Sequence, residues 1–292
     1  MSDGPRDAGG DLHVDERFRG ALDCHVHLMP GRLMQAIRRS MTDREGWLFP
    51  HPHERAPMEA VLTEQGVDRY CALPYAHKSG IAAELNEWLL AEAADAPMCI
   101  PFATVHPEDP VESVVETAFA AGARGLKIHC PVQQASPTDP RLAPAFELAA
   151  SHDRPVLFHA GTAPMFESSP HVGIEQFERF CETHPEVRVC AAHMGTYDHE
   201  AFLALLERHE QAYLDTSFAM SSSAPVTMEF DPETIDDTVF ERFAGRIMYG
   251  SDYPNIPYPY VDERRTLLGR ELSDPAATAL FGGAAEAFLG LA

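Results

Sequence analysis

Short apolar runs rich in β-branched and aromatic residues alternate along the chain with longer stretches whose apolar positions recur every three to four residues. The first pattern predicts strands at residues 21–27, 67–73, 98–105, 124–129, 155–159, 187–193, 212–216 and 246–252. The second predicts helices at 57–65, 82–94, 110–121, 143–151, 174–183, 199–208 and 232–243, with two more at 260–269 and 275–289 after the last strand. Many of these helices open with Pro or with an Asp, Ser or Thr cap. Strands that are apolar throughout mark a parallel sheet buried on both faces. Eight strand–helix units with no break in composition predict an α/β chain closed into one (β/α)8 barrel, the TIM-barrel architecture, over residues 20–292. Residues 1–19 are polar, acidic and Gly-rich and read as a disordered arm.

Two connections exceed a simple barrel turn, residues 28–55 after the first strand and 217–231 after the seventh. Both lie on the face where barrel loops build active sites, which makes them the expected lid and substrate walls.

Polar residues collect at the C-terminal ends of the expected strands: Asp23, His25 and His27 on the first, Lys127 and His129 on the fourth, His159 on the fifth, His193 on the sixth, Asp252 on the eighth. Side chains alternate along a strand, so His25 and His27 point the same way and form a two-ligand clip. A lone strand histidine is more often a hydrogen-bonded core residue than a ligand. Three imidazoles and one carboxylate at one barrel mouth are another matter. His25, His27, His159 and Asp252 suit one divalent cation, Zn2+ first and Mn2+ or Fe2+ next, with a position left open for water. Asp23, placed inward below His25 by the same alternation, reads as a partner that orients an imidazole.

Composition narrows the function classes. The 292 residues are 45% hydrophobic and 23% charged, and no apolar run approaches the ~20 residues of a membrane span. A net charge of -23 without a basic cluster argues against nucleic acid and anionic membranes as partners. A small-molecule substrate is expected, and a homodimer stays open. The chain opens without an apolar signal segment, and its six cysteines form no C-x-x-C pair, which predicts a cytoplasmic protein with reduced core thiols.

The motifs LDCHVHLMP, GLKIHCP, PVLFHAG, CAAHMG and RIMYGSDYP, in that order over residues 21–291, resemble the amidohydrolase superfamily. The resemblance is to its amidohydrolase-related branch, which includes aminocarboxymuconate-semialdehyde decarboxylase. It implies metal binding by His25, His27, His159 and Asp252, and an acid–base role for His193. Where relatives often carry K-x-H-P, this chain reads Lys127, Ile128, His129, Cys130, Pro131; where they often carry Asn after a Gly pair, it has Gly282, Gly283, Ala284.

The expected chemistry is hydrolysis of a small amide, ester or lactone by metal-activated water, with Asp252 taking the proton and His193 relaying it. The main alternative is non-oxidative decarboxylation of an aromatic or unsaturated acid, with Lys127, Arg55 or Arg32 gripping a carboxylate. A non-catalytic metal-binding barrel is the remote third reading. Lys127, His129, His51 and Tyr253 are the candidate substrate contacts. His53, Tyr258 and Tyr260 border the same region, though loop histidines are commonly solvated and the tyrosines can simply pack on the barrel rim. Binuclear members of the wider superfamily carry a carbamylated lysine at the end of strand four. Lys127, one full strand period or roughly 6.6 Å below His129, is expected to stay unmodified and too deep to reach a metal.

Overall fold

The computed structural model describes residues 14–162, 166 and 169–291. Eight parallel strands form in the expected order: β1 Ala21–Val26, β2 Val67–Ala72, β3 Cys99–Pro101, β4 Leu126–His129, β5 Val156–His159, β6 Val189–Ala191, β7 Ala212–Asp215 and β8 Ile247–Met248. The ladders run β1-β2-β3 and β4-β5-β6-β7-β8. A bridge from Ala103 to Leu126 joins β3 to β4, and one from Val26 to Tyr253 joins β1 to the segment after β8. The Cys24 N–H donates to the Tyr249 carbonyl at 2.9 Å along that last seam. The chain is thus a (β/α)8 barrel, as the strand count predicts.

Six of the eight strands stop short of their expected C-terminal ends, most clearly β3, β6 and β8, while β4 and β5 end where expected. There the chain leaves the ladder to present side chains. His193, Met194 and Gly195 after β6, and Asp252 after β8, all adopt left-handed φ, from 55° to 69°. Such values are uncommon outside glycine and occur where surrounding contacts impose them.

Strand β1 carries a bulge. Asp23 pairs with Tyr70 and Val26 with Ala72, one residue more on β1 than on β2. The extra residue resets the alternation. Leu22 and Cys24 join the cluster inside the barrel with Cys71, Leu157, Cys190 and Met248, onto which the helix Ala284–Leu289 packs Phe288 and Leu289. Ala21 and Val26 belong instead to the layer between strands and helices. All six cysteines are buried and unpaired.

The connection 28–55, expected as loop, contains a helix at Gly31–Glu45 that Gly46 ends in left-handed conformation. The connection 217–231 holds only a short helix, Ala224–Thr227. Of the expected arm, residues 1–13 lie outside the described residues. The expected boundary at residue 19 comes too late, because Phe18 is fully buried with its ring 4.9 Å from Tyr249 and 5.1 Å from Phe281. Among the described residues no helix is long and apolar enough to cross a membrane.

Candidate metal centre

His25 and His27 are set by different anchors into the same tautomer. The Nδ1–H of His25 donates to Asp215 Oδ2 at 2.9 Å, and that of His27 to the Leu73 carbonyl at 2.8 Å. Each Nε2 therefore offers a lone pair inward. Both Nε2 atoms face the same oxygen, Oδ1 of Asp252, at 3.2 Å from His25 and 3.1 Å from His27. Burial, and then the nearby Lys127, pushes the His25 pKa down to about 3, which keeps that imidazole neutral. Burial opposes charge on Asp252, but His27 and His25 hold its carboxyl well below the usual carboxylate range. With each Nδ1–H committed to its anchor, both Nε2 lone pairs face the Asp252 oxygen, a set of acceptors whose repulsion a cation among them relieves. The three donors fit a divalent ion, whose neighbouring ligand atoms stand roughly 3 Å apart at bond lengths near 2.1 Å.

Backbone features bring these groups together. Asp252 follows β8 with φ 61°, and its N–H donates to the His25 carbonyl at 2.9 Å. Gly250 lies directly against β1, where an added Cβ would sit 2.9 Å from that of His25. Only glycine permits this approach of β8 to the bulge.

His159 stands apart from the three converging donors. The Nδ1–H of His193 donates to the Ser217 carbonyl at 2.9 Å, so His193 Nε2 accepts from Nδ1 of His159 at 3.0 Å. This leaves His159 Nε2 buried with no partner among the described residues. His129 stacks on His159 with centroids 4.3 Å apart and planes 7° from parallel, and its Nδ1 is likewise unpartnered. Burial holds both of these imidazoles well below the usual histidine range.

Lys127 is fully buried, and the length of its side chain carries Nζ up from its place one strand period below His129 to 3.2 Å from His25 Nε2. Burial lowers its pKa.

Asp215, at the end of β7, is the residue that sequence reasoning missed. It accepts from His25, from the His193 N–H at 3.0 Å, and from the Ser217 N–H and hydroxyl at 3.1 and 2.5 Å. Burial disfavours its charge, yet His25 and His193 hold the carboxyl far below its ordinary range. It takes the orienting role expected of Asp23. Because the bulge turns Asp23 out of the barrel, that carboxyl instead meets the Ser251 hydroxyl at 2.5 Å, the Tyr260 hydroxyl at 2.9 Å and the His25 backbone N–H at 3.1 Å. Burial pushes Asp23 up to about 7 despite these donors. The signal for Asp215 was an acidic residue at the end of an apolar strand, the same signal that singled out Asp252.

A cavity of about 320 Å3 opens beside His129, walled by Tyr75, Val132, Phe166 and the inner face of the helix Gly31–Glu45, including Leu33, Ile37 and Met41. Ser40, Arg44 and His77 supply its other polar lining, and the Arg44 guanidinium donates to the Ser40 hydroxyl at 3.3 Å. His51 and Tyr253 pack against each other at 5.0 Å, with His51 Nε2 donating to the Tyr258 carbonyl at 2.7 Å. Neither residue lines this cavity. Arg55 is held by Glu59 at 2.9 Å and Glu92 at 3.0 Å, and Arg32 is solvent-exposed.

The amidohydrolase family profile matches residues 22–291, nearly the whole chain. The chain belongs to the amidohydrolase family. No curated protein matches this chain in sequence. Solved structures similar to it include an uncharacterised TIM-barrel protein from Bordetella bronchiseptica, 15% identical with a TM-score of 0.72 over 93% of this chain and 98% of that one. Another is 5-carboxyvanillate decarboxylase from Novosphingobium aromaticivorans, complexed with manganese and a nitrobenzoic acid, 16% identical with a TM-score of 0.64 over 100% of both chains. A third is a probable 2-pyrone-4,6-dicarboxylic acid hydrolase from Acinetobacter baumannii, 14% identical with a TM-score of 0.64 over 93% and 99%. At these identities the likeness to solved structures shows the fold, while family membership makes the protein a metal-dependent enzyme.

Proposed function

We propose that this amidohydrolase hydrolyses a small amide, ester or lactone with water activated by one divalent cation, Zn2+ first. The observation that carries the reading is the meeting of the His25 and His27 Nε2 lone pairs with one oxygen of Asp252. His159 completes the proposed ligand set through its unpartnered nitrogen. When bound, the ion supplies Lewis acidity and a nucleophile available at neutral pH. Asp252, held ionised, takes the proton of the attacking water. His193, fixed on Ser217 through its Nδ1–H, takes that proton from Asp252 on Nε2, giving up the bond from His159, and hands it to the leaving group. His129 and Tyr75 hold the substrate where the cavity meets the ligands. Lys127, with Nζ beside His25 and absent from the cavity lining, faces the ligand set rather than the substrate.

A second reading, decarboxylation of a small aromatic or unsaturated acid, draws on Arg44 in the cavity lining and on the manganese-bound decarboxylase of similar fold. The test is metal analysis of the purified protein together with assays on lactones, esters, amides and aromatic carboxylates. Turnover of the first three without carbon dioxide release supports hydrolysis. Carbon dioxide released from the acids alone replaces it with the second reading, and no metal in an active protein overturns both.

A further inference from the structure

Glu263 lies on the helix Val261–Leu268 in the outer layer, yet only 1% of it is exposed. Its Oε2 accepts the N–H of Phe218 at 3.1 Å. Phe218 has φ 64°, a conformation that a bulky residue keeps only when something outside holds it. The residue before it, Ser217, fixes His193 by its carbonyl and Asp215 by its N–H and hydroxyl. The Phe218 ring packs on Trp47 at 5.3 Å and Tyr258 at 5.5 Å, with the His193 ring 6.5 Å away.

We propose that Glu263 is a positioning residue of this site: through the Phe218 amide it holds the Ser217 turn in the conformation that aims the Ser217 carbonyl at His193 Nδ1. That bond keeps His193 Nε2 turned toward His159 and the barrel mouth. The catalytic part of this inference rests on the acid–base role proposed above for His193. Packing alone does not account for a carboxyl here, because an apolar side chain fills the same space without the cost of burying a polar group. Burial pushes the Glu263 pKa well up.

The test compares Glu263→Gln, which keeps a carbonyl oxygen, with Glu263→Leu, which keeps the volume and removes the acceptor. Three quantities are read on the metal-loaded protein: metal content, kinetics on the best substrate of the panel, and the downfield proton resonance of His193 Nδ1–H, assigned by its loss in His193→Ala. In the leucine variant the resonance is expected to shift or broaden away, with kcat down about 10- to 100-fold, KM within about twofold and metal content unchanged. The glutamine variant is expected to match wild type in all three. Adding Phe218→Gly to Glu263→Leu recovers the resonance and most of kcat, since glycine takes this φ unaided. An unmoved resonance in the leucine variant overturns the proposal, and so does a glutamine variant that behaves like leucine. A moved resonance with unchanged kcat supports the positioning and removes the acid–base role of His193. If the leucine variant does not fold, Gln alone decides, because a folded glutamine variant without the His193 signal rejects the acceptor role.

Discussion

At the scale of single residues, histidines and carboxylates at strand ends carry the site, and their chemistry makes distinct predictions. Asp252→Asn and His27→Ala each remove a converging donor and are expected to abolish bound metal, with circular dichroism unchanged. Asp215→Asn leaves every metal donor in place but loosens the His25 ring, so metal affinity falls by roughly 10- to 100-fold in a competitive chelator titration. His193→Ala is expected to retain the metal and lose a factor on the order of 10^2 to 10^4 in kcat. Asp23 gives a prediction in pH. Its folded-state value, about 7, lies above the ordinary 3.8, so its contribution to stability is fully present below the lower value and is lost as pH rises through the upper one. Urea midpoints of wild type and Asp23→Asn, compared at about pH 5 and pH 8, are expected to shift in favour of the variant at the higher pH. His25, His27 and Asp252 were legible in the sequence because such residues are rare at the ends of apolar strands. Asp215 carries the same signal but has no neighbouring motif, and the imidazole it orients, His25, lies 190 residues away.

At the scale of elements, the order of strands and helices was legible because six of the eight strands are buried along their whole length and the helices between them bury one apolar face. What the sequence hid was local departure from regular spacing. The bulge in β1 inserts one residue between Asp23 and Val26 and defeats alternation at the place where it was used to orient a carboxylate. No residue type announces a bulge as glycine announces a left-handed turn. The helix Gly31–Glu45 was missed although Leu33, Met34, Ile37 and Met41 recur at helical spacing, because many polar residues separate them and only Met34 is fully buried. This helix forms a wall of the cavity, and the next prediction concerns that wall. Ile37→Ala widens the cavity without touching a metal donor. The ratio of kcat/KM between a bulkier and a smaller ester is expected to shift about tenfold or more toward the bulkier, with metal content constant. Equal changes for both esters place the substrate elsewhere.

At the scale of the whole molecule, Phe18 joins Tyr249 and Phe281 where β8 meets the last helices, and the Arg264 guanidinium lies 5.4 Å over its ring. Phe18→Ala is expected to cost about 3–5 kcal/mol, read as a lower urea midpoint, while metal stoichiometry stays the same. The proposed metal donors sit at strand ends and on the turn after β8, whereas the helix that walls the cavity is fastened by Arg38. Its guanidinium donates to Asn255 Oδ1 at 3.2 Å and to the carbonyls of His51 and Pro254 at 2.7 and 2.8 Å. Two of these three acceptors are main-chain oxygens, which any residue provides. The wall can therefore be rewritten residue by residue while its fastening and the chemistry beneath it are inherited intact, and a lineage built on this plan can change what it consumes without relearning how to break a bond.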